Sequence, residues 1–292
     1  MTKHLLSFGH GYSARALTPL LLAQGFTIAG TTRSEDKAKA HQSDGVTPMI
    51  WPNEDLQGED VRRELEKATH LLISAGPNSE GDPVLNAFRT EIAARAPHLE
   101  WVGYLSTTGV YGDAQGDWVD EESSLKPSTK RGQMRVDAEA EWQAILDLPL
   151  HIFRLAGIYG PGRGPFAKVR AGTARRIIKK NQVFSRIHVE DIAQVLAASI
   201  TQPNIGAVYN LCDNDPAPPE DVIAHAAELL ELPLPPAVDF ETADMTPMAR
   251  SFYAESKRVR NNLIKDELGV KLRYPDYRSG LAALLASERA AG

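Results

Sequence analysis

Between residues 4 and 155 short apolar runs alternate with longer stretches patterned for helices, and that rhythm leaves few folds open. The apolar runs are "HLLSF", "FTIAGTT", "VTPMIW", "THLLISAG", "EWVGYLST" and "LPLHIFRLAGIYG". Between them lie "SARALTPLLLAQG", which closes on Gly25, then a polar stretch, "EDVRRELEKA", a helix across Val84 to Ala96, and the helix within "KPSTKRGQMRVDAEAEW". Strands this apolar suit a parallel sheet covered on both faces. Right-handed crossovers make a doubly wound α/β sheet the simplest topology.

After Gly160 the rhythm breaks. "GPGRGPF" is a loop, "SRIHVEDIAQVLAASI" restores a strand end and a helix, and "GAVYNLCD" is a strand. From "NDPAPPED" onward the chain reads as mostly helical with proline-rich joints. The expected division is therefore 1–158 as the main sheet domain and 159–292 as a smaller substrate-side domain, with 186–212 returning to the sheet. Such a tail emerges where a substrate cap sits in open α/β sheets.

A net charge of −6 argues against nucleic-acid or acidic-membrane partners, which attract clustered Lys and Arg. The basic run "RAGTARRIIKK" reads as a solvated face. A single cysteine, Cys212, excludes an intrachain disulfide, fits a reducing cytoplasm and reads as a buried core thiol. No apolar run reaches membrane-spanning length, and "LTPLLLA" follows a glycine-rich turn rather than a basic leader, so no secretory signal is expected. No HExxH spacing suggests a metal site, and no GxSxG elbow suggests a hydrolase.

The turn after the first strand, "GHGYSA", carries the most specific chemistry. Gly9 permits the tight turn, Gly11 lets a pyrophosphate approach the backbone, and Ala14 lets the helix pack against the sheet. The helix then aims free N–H groups and its positive dipole end at the phosphates. The cofactor-facing set on this turn is Gly9, His10, Gly11, Tyr12, Ser13 and Ala14. At the end of the second strand an NAD site places Asp or Glu against the ribose hydroxyls. Here stand Thr31, Thr32 and Arg33, and a guanidinium with flanking hydroxyls suits a 2′-phosphate. NADP is preferred over NAD on this ground, with Glu35 and Asp36 close behind as the residues that would favour NAD.

With "GHGYSA", "AGP" (Ala75 to Pro77), "LSTTGVYGD", "RLAGIYGPG", "RIHVEDIA" and the tail "SKRVRNNLIKDELGVKLRYPDYRSGL", the chain resembles the extended short-chain dehydrogenase/reductase superfamily nearly end to end. That group contains NAD(P)-dependent epimerases and dehydratases. The resemblance implies a Rossmann-type doubly wound parallel sheet with a smaller C-terminal substrate-side domain. It also implies a cofactor passing Ser74, Ala75, Gly76 and Pro77, and Thr107 hydrogen-bonded to the reacting oxygen. The family's tyrosine acid/base and its lysine four residues on fall at Arg131 and Arg135. Arginine stays protonated, so Arg131 cannot act as a base, whereas Arg135 can supply the lysine's charge and ribose contact. Thr108 and Gly109 occupy the places of the dehydratase acid and base, which disfavours sugar dehydration by the usual route. The chain is thus similar to the atypical branch that keeps the glycine turn and lacks the Tyr-x-x-x-Lys pair.

Tyr111 and His188 remain as other candidate proton carriers; the plainer reading of His188 is a structural residue beside Asp191 as helix N-cap. Thr108, Arg131, Tyr159 and Arg186 are candidate substrate contacts, and Arg154, Arg163 and Arg186 would suit an anionic substrate. The family often dimerises through the helix of the absent tyrosine and its predecessor. Here the predecessor reads as short and proline-broken, which implies a monomer or weak homodimer. Two functions stay open: an NAD(P)-binding oxidoreductase or epimerase-like enzyme with non-standard proton transfer, and a non-catalytic NADP(H) sensor or regulator of the same fold.

Overall fold

The computed structural model describes residues 3–52 and 58–291. Strands β1 (His4–Phe8), β2 (Thr27–Thr32), β3 (Thr47–Ile50), β4 (His70–Ile73) and β5 (Trp101–Thr107) join the strands Leu150–Leu155 and Val208–Leu211 in one seven-stranded parallel sheet. From one edge the order is Val208–Leu211, Leu150–Leu155, β5, β4, β1, β2, β3. β1 pairs with β2 on one side (Leu5 opposite Ile28) and with β4 on the other (Leu6 opposite Leu71). The strand order reverses there, which opens a crevice at the carboxyl ends of the strands.

Helix α1 (Tyr12–Ala23) packs Ala14, Leu17 and Leu21 on one face of the sheet beside Ile192, Val195 and Leu196 of the helix Val189–Thr201. The opposite face is covered by α3 (Glu59–Leu65), α4 (Pro83–Arg95) and α5 (Lys130–Gln143), through Val61, Leu65, Ile92, Ala138 and Trp142. This two-sided burial explains the continuous apolar strands: every residue of β4 is buried. A separate core of Phe166, Val169, Val222, Ala226, Leu281 and Leu284 holds the later part of the chain.

The structure refines the sequence expectations at several places. The polar stretch after β2 is a helix, α2 (Glu35–Ser43); only Ala38 and His41 turn inward, too narrow a stripe to register as periodicity. Arg186–His188 pairs with Gly157–Tyr159 in a small sheet of its own, while Val208–Leu211 does join the central sheet. The tail carries the expected helices, Pro219–Leu229, Pro247–Phe252, Asn262–Asp266 and Tyr277–Ala291, and adds two short strands: Ala237–Asp239 pairs with Arg176–Ile178 and Arg258–Val259 with Trp118–Val119, ladders too short to leave an alternating pattern. Helix α4 spans thirteen residues with proline only at its start, where it is well tolerated, and its backbone leaves helical geometry at Phe88 (φ −135°, ψ 15°), so the break in this helix lies there and not at a proline.

Candidate functional site

The glycine turn sits at the crevice. Gly9 has φ +72°, and a Cβ there would lie 2.8 Å from the Ala75 nitrogen, so only glycine lets β1 turn this close to β4. Its N–H donates to Thr31 Oγ1 at 2.7 Å, the His10 N–H to Thr31 O at 2.9 Å, and the Gly11 N–H to Gly9 O at 2.6 Å. Helix α1 then begins with no side-chain cap and no acidic residue in its first turn, leaving its leading N–H groups for an anion. A Cβ on Gly11 would meet only Gly9 O, at 3.6 Å, so the ligand side of the turn is open backbone. These features fit a dinucleotide pyrophosphate.

Ala14 and Ser13 are buried where the helix meets the sheet. The His10 side chain turns inward, a correction to its place in the cofactor set: Nε2 lies 3.1 Å from Thr18 Oγ1 and the ring packs edge-on to His41 at 4.9 Å. Burial first, then the neighbouring His41, pushes its pKa down to about 4. Only the backbone of His10 belongs to the turn. Thr31, read from the sequence as a phosphate contact, instead spends its hydroxyl on Gly9.

β2 ends at Thr32, whose Oγ1 accepts from the Ser34 N–H at 3.4 Å. Ser34 caps α2, and Glu35 and Asp36 form that helix's first turn, where carboxylates complement its dipole. Arg33 between them is exposed, with no ion pair among the described residues. Across the crevice the Ser74 and Ala75 N–H groups donate to Phe8 O at 2.8 and 3.0 Å, and Gly76 and Pro77 follow at the open end. A Cβ on Gly76 would lie 3.0 Å from Arg135 Nη2, so this guanidinium lines the same wall. Arg135 Nη1 donates to Leu105 O at 2.7 Å and to the Tyr104 hydroxyl at 3.0 Å.

Thr107 closes β5 and caps the 3-10 turn Thr108–Tyr111, its Oγ1 accepting from the Gly109 N–H at 3.1 Å. The hydroxyl proton of Thr107 remains to be donated. Thr108 is buried within the turn. Helix α5 starts hard against this turn, since a Cβ on Gly132 would lie 2.8 Å from Gly109 O. Arg131, next to it, is exposed, with no hydrogen bond or ion pair among the described residues.

Several candidate side chains are committed elsewhere. Arg154 is buried in an ion pair with Glu139 at 2.7 Å; Glu139 also accepts from Ser106 Oγ at 2.5 Å. Arg154 Nη1 donates to the Tyr111 hydroxyl at 3.0 Å, which donates to Asn210 Oδ1 at 2.7 Å. Burial foremost pushes Tyr111 up to about 12, so it is a strut and not a proton carrier. His188, rather than Asp191, is the N-cap of the helix Val189–Thr201: its Nδ1 accepts from the Glu190 N–H at 3.2 Å. Asp191 instead accepts from the Arg273 and Tyr274 N–H groups at 2.7 and 3.0 Å. The His188 ring lies 4.0 Å from that of Tyr274 and 5.1 Å from that of Tyr159, and burial foremost lowers its pKa to about 4. Tyr159 is buried against Gly280, its hydroxyl reaching Asp276 O at 3.4 Å. Arg186 spends Nη1 on Phe184 O and Ala217 O at 2.8 and 3.1 Å. Cys212 is fully buried, its thiol on Val259 O at 3.1 Å.

The glycine turn also touches the later half of the chain. The Tyr12 hydroxyl donates to Pro161 O at 3.0 Å, and the Arg163 guanidinium stands 5.8 Å from the Tyr12 ring centroid. A groove of about 1030 Å³ opens beside this contact, lined by Gly11, Tyr12, Arg15, Lys37, Pro161 and Glu190 among others. Among the described residues no cluster of His, Cys, Asp and Glu is placed to hold a metal ion, and no helix is long and apolar enough to cross a membrane. The sequence reading missed Thr31 as the anchor of the turn and Glu139 as the centre of the buried network. A lone carboxylate on a helix carries no local signal of a partner on a distant strand.

No family model matches the chain. Protein YeeZ of Escherichia coli strain K12 is 27% identical to it, over 94% of this chain and 97% of its own. A functionally unknown conserved protein from Silicibacter pomeroyi DSS is 62% identical, with a TM-score of 0.92 over 98% of this chain and 99% of that one. The structure of a candidate NAD-dependent epimerase/dehydratase from Methylobacillus flagellatus is 26% identical, with a TM-score of 0.73 over 99% of both chains.

Proposed function

We propose that the chain is a member of the extended short-chain dehydrogenase/reductase superfamily, whose NAD-dependent epimerase/dehydratase fold it shares, and an NADP-preferring oxidoreductase or epimerase-like protein of that group. The carrying observation is the uncapped amino end of α1 behind an open glycine turn, with the unpaired Arg33 at the end of β2. Gly9, Gly11, Tyr12, Ser13 and Ala14 hold the pyrophosphate through backbone, Arg33 and Thr32 select the 2′-phosphate, and Arg135 takes the ribose contact of the family's lysine. Glu35 and Asp36 support this preference, since they begin α2 rather than end β2. A nicotinamide bound there would supply hydride transfer, the chemistry that belongs to the cofactor.

Thr107 then donates a hydrogen bond from its hydroxyl to the reacting oxygen of a small substrate, and Arg131, cationic and unpaired among the described residues, attracts an anionic group on it. This is the atypical form of the family site, without the Tyr-x-x-x-Lys pair, and it operates in the cytoplasm. The main unit is 1–158 and the substrate side mainly 159–292.

One observation favours the second reading, a non-catalytic NADP(H) sensor. Every residue advanced as a substitute proton carrier is engaged: Tyr111 in the buried network and His188 as a helix cap. Calorimetric titration with NADP⁺ and NAD⁺ tests the cofactor assignment. Arg33→Ala is expected to weaken NADP⁺ at least tenfold, about 1.4 kcal/mol, and to leave NAD⁺ unchanged. Failure of the wild type to bind either nucleotide would sink both readings. Oxidation of bound NADPH on adding small carbonyl acids or sugar phosphates, followed by loss of the reduced nicotinamide's absorbance, separates enzyme from sensor.

A further inference from the structure

Arg163, read from the sequence as a residue that would suit an anionic substrate, has no role in the proposed function, yet the fold brings it to the mouth of the glycine turn. The contact is made by the loop Gly160–Gly164, which follows the strand Gly157–Tyr159 and closes on itself through reciprocal backbone hydrogen bonds of 2.9 Å between Gly160 and Arg163. Its first glycine is required by close approach. A Cβ on Gly160 would lie 2.6 Å from the Tyr12 hydroxyl and 2.7 Å from Val189 Cγ1. Gly162 and Gly164 have open space on their Cβ side, so the far end of the loop is not wedged in place.

Tyr12 is the first residue of α1 and joins the two parts. Its backbone lies at the anion-binding end of the helix, and its hydroxyl holds the loop through Pro161 O. Burial foremost raises its pKa, so the phenol stays a hydrogen-bond donor at neutral pH. Over its ring lies Arg163, exposed and without an ion pair among the described residues. Of the other cations lining the groove, Arg15 pairs with Asp44 at 2.7 Å and Arg273 with Glu190 at 2.6 Å, while Lys37, on α2, has no ion pair among the described residues. Arg163 is the uncompensated cation that an aromatic face orients at the helix end.

We infer that the loop Gly160–Gly164 is a latch over the cofactor's pyrophosphate, with Arg163 as its phosphate contact and the Tyr12 hydroxyl as its catch. The guanidinium provides a charge-assisted, fork-shaped donor to phosphate oxygens that the neutral backbone of the turn lacks. The inference rests on the assigned cofactor, and its chemistry sets it apart from Arg33. The pyrophosphate is common to NAD and NADP, whereas the 2′-phosphate is not.

The experiment is calorimetric titration of wild type, Arg163→Ala, Arg163→Lys and Arg33→Ala with NADP⁺, NAD⁺ and adenosine. Arg163→Ala is expected to weaken NADP⁺ and NAD⁺ by the same factor of about ten or more, about 1.4 kcal/mol, and to leave adenosine binding unchanged. Arg163→Lys recovers part of the loss, because charge returns without the fork. Tyr12→Phe, which keeps the ring and removes the catch, is expected to speed NADP⁺ dissociation several-fold in stopped flow. If wild type binds a dinucleotide and Arg163→Ala binds it equally well, the latch is overturned and the cofactor assignment stands. If wild type binds neither dinucleotide, the cofactor assignment itself fails. A loss confined to NADP⁺ would move Arg163 to the 2′-phosphate and also overturn the latch.

Discussion

The two sides of the crevice are built on opposite principles. Around the glycine turn, side chains fold inward and backbone donors are left outward: His10 and Ser13 are buried, the start of α1 is uncapped, and Arg33 and Arg163 have no acidic partner among the described residues. Around β5 and α5 the polar groups satisfy one another. Ser106, Glu139, Arg154, Tyr111 and Asn210 form a continuous buried chain, and Arg135 is held by Leu105 O and Tyr104. Holding an anion needs unsatisfied donors in a fixed frame. Moving a proton needs a side chain with freedom and a pKa near the working pH. The first side has the open donors that holding an anion requires, and the second has Tyr111, Arg154 and Glu139 locked in their own network.

The largest expected effect is on acid stability. Burial foremost depresses His10, His70 and His188 to about 4 from 6.5. Between these values the unfolded chain takes up protons that the folded chain refuses. The histidines' contribution is then full above about pH 6.5 and falls as the pH drops toward 4, by roughly 1.4 kcal/mol per pH unit for each group at most. Burial raises Asp213 to about 8, which adds stability as the pH falls and offsets part of this loss, so urea unfolding at pH 7.5 and pH 5 should read a net fall smaller than the histidine sum. His188→Asn keeps an N-cap acceptor and removes one titrating group, so the pH slope becomes shallower. A His188 proton resonance titrating near 6.5 would instead break the contrast, because it would make this imidazole an available acid/base.

Next in size is the buried ion pair. Arg154→Ala leaves the Glu139 carboxylate without its guanidinium and is expected to cost about 3–5 kcal/mol in chemical denaturation. Dinucleotide affinity of the folded fraction should be unchanged, since the network lies away from the glycine turn. A variant as stable as wild type would mean that the network is not closed and that Arg154 has freedom to meet a substrate.

The sheet was legible because burial on both faces writes itself into β4 and β5 as unbroken apolar runs, and the glycine turn because its backbone demands particular residues at fixed spacing. Helix α2 was not legible, because its hold on the sheet rests on Ala38 and His41 alone. The fates of Tyr111, Arg154 and His188 were hidden for a different reason. Each is decided by partners 15 to 99 residues away or by a ring packed against it from across the fold, and residue type alone cannot separate a charge facing a cleft from one facing a carboxylate.

The two glycines of the turn test the open side from opposite directions. Gly9→Ala forces a methyl toward the Ala75 backbone at a positive φ and should cost about 1–3 kcal/mol of stability as well as the cofactor. Gly11→Ala has room on the protein side and should leave the melting temperature nearly unchanged while dinucleotide affinity falls tenfold or more. Equal loss of stability in both would show that Gly11 is there for the fold and not for a ligand.

The smallest expected effect is at the position of the absent tyrosine. Arg131 is exposed on the first turn of α5, and Arg131→Ala should change stability by no more than about 0.5 kcal/mol and leave NADP⁺ affinity as it was. Its consequence is confined to an anionic ligand added after the cofactor. Loss of binding for a carboxylate or phosphate compound, with cofactor affinity intact, would place a substrate on this side of the crevice. A change in NADP⁺ affinity alone would instead make Arg131 part of the cofactor wall with Arg135, and the β5–α5 side would then be a second binding surface for the dinucleotide.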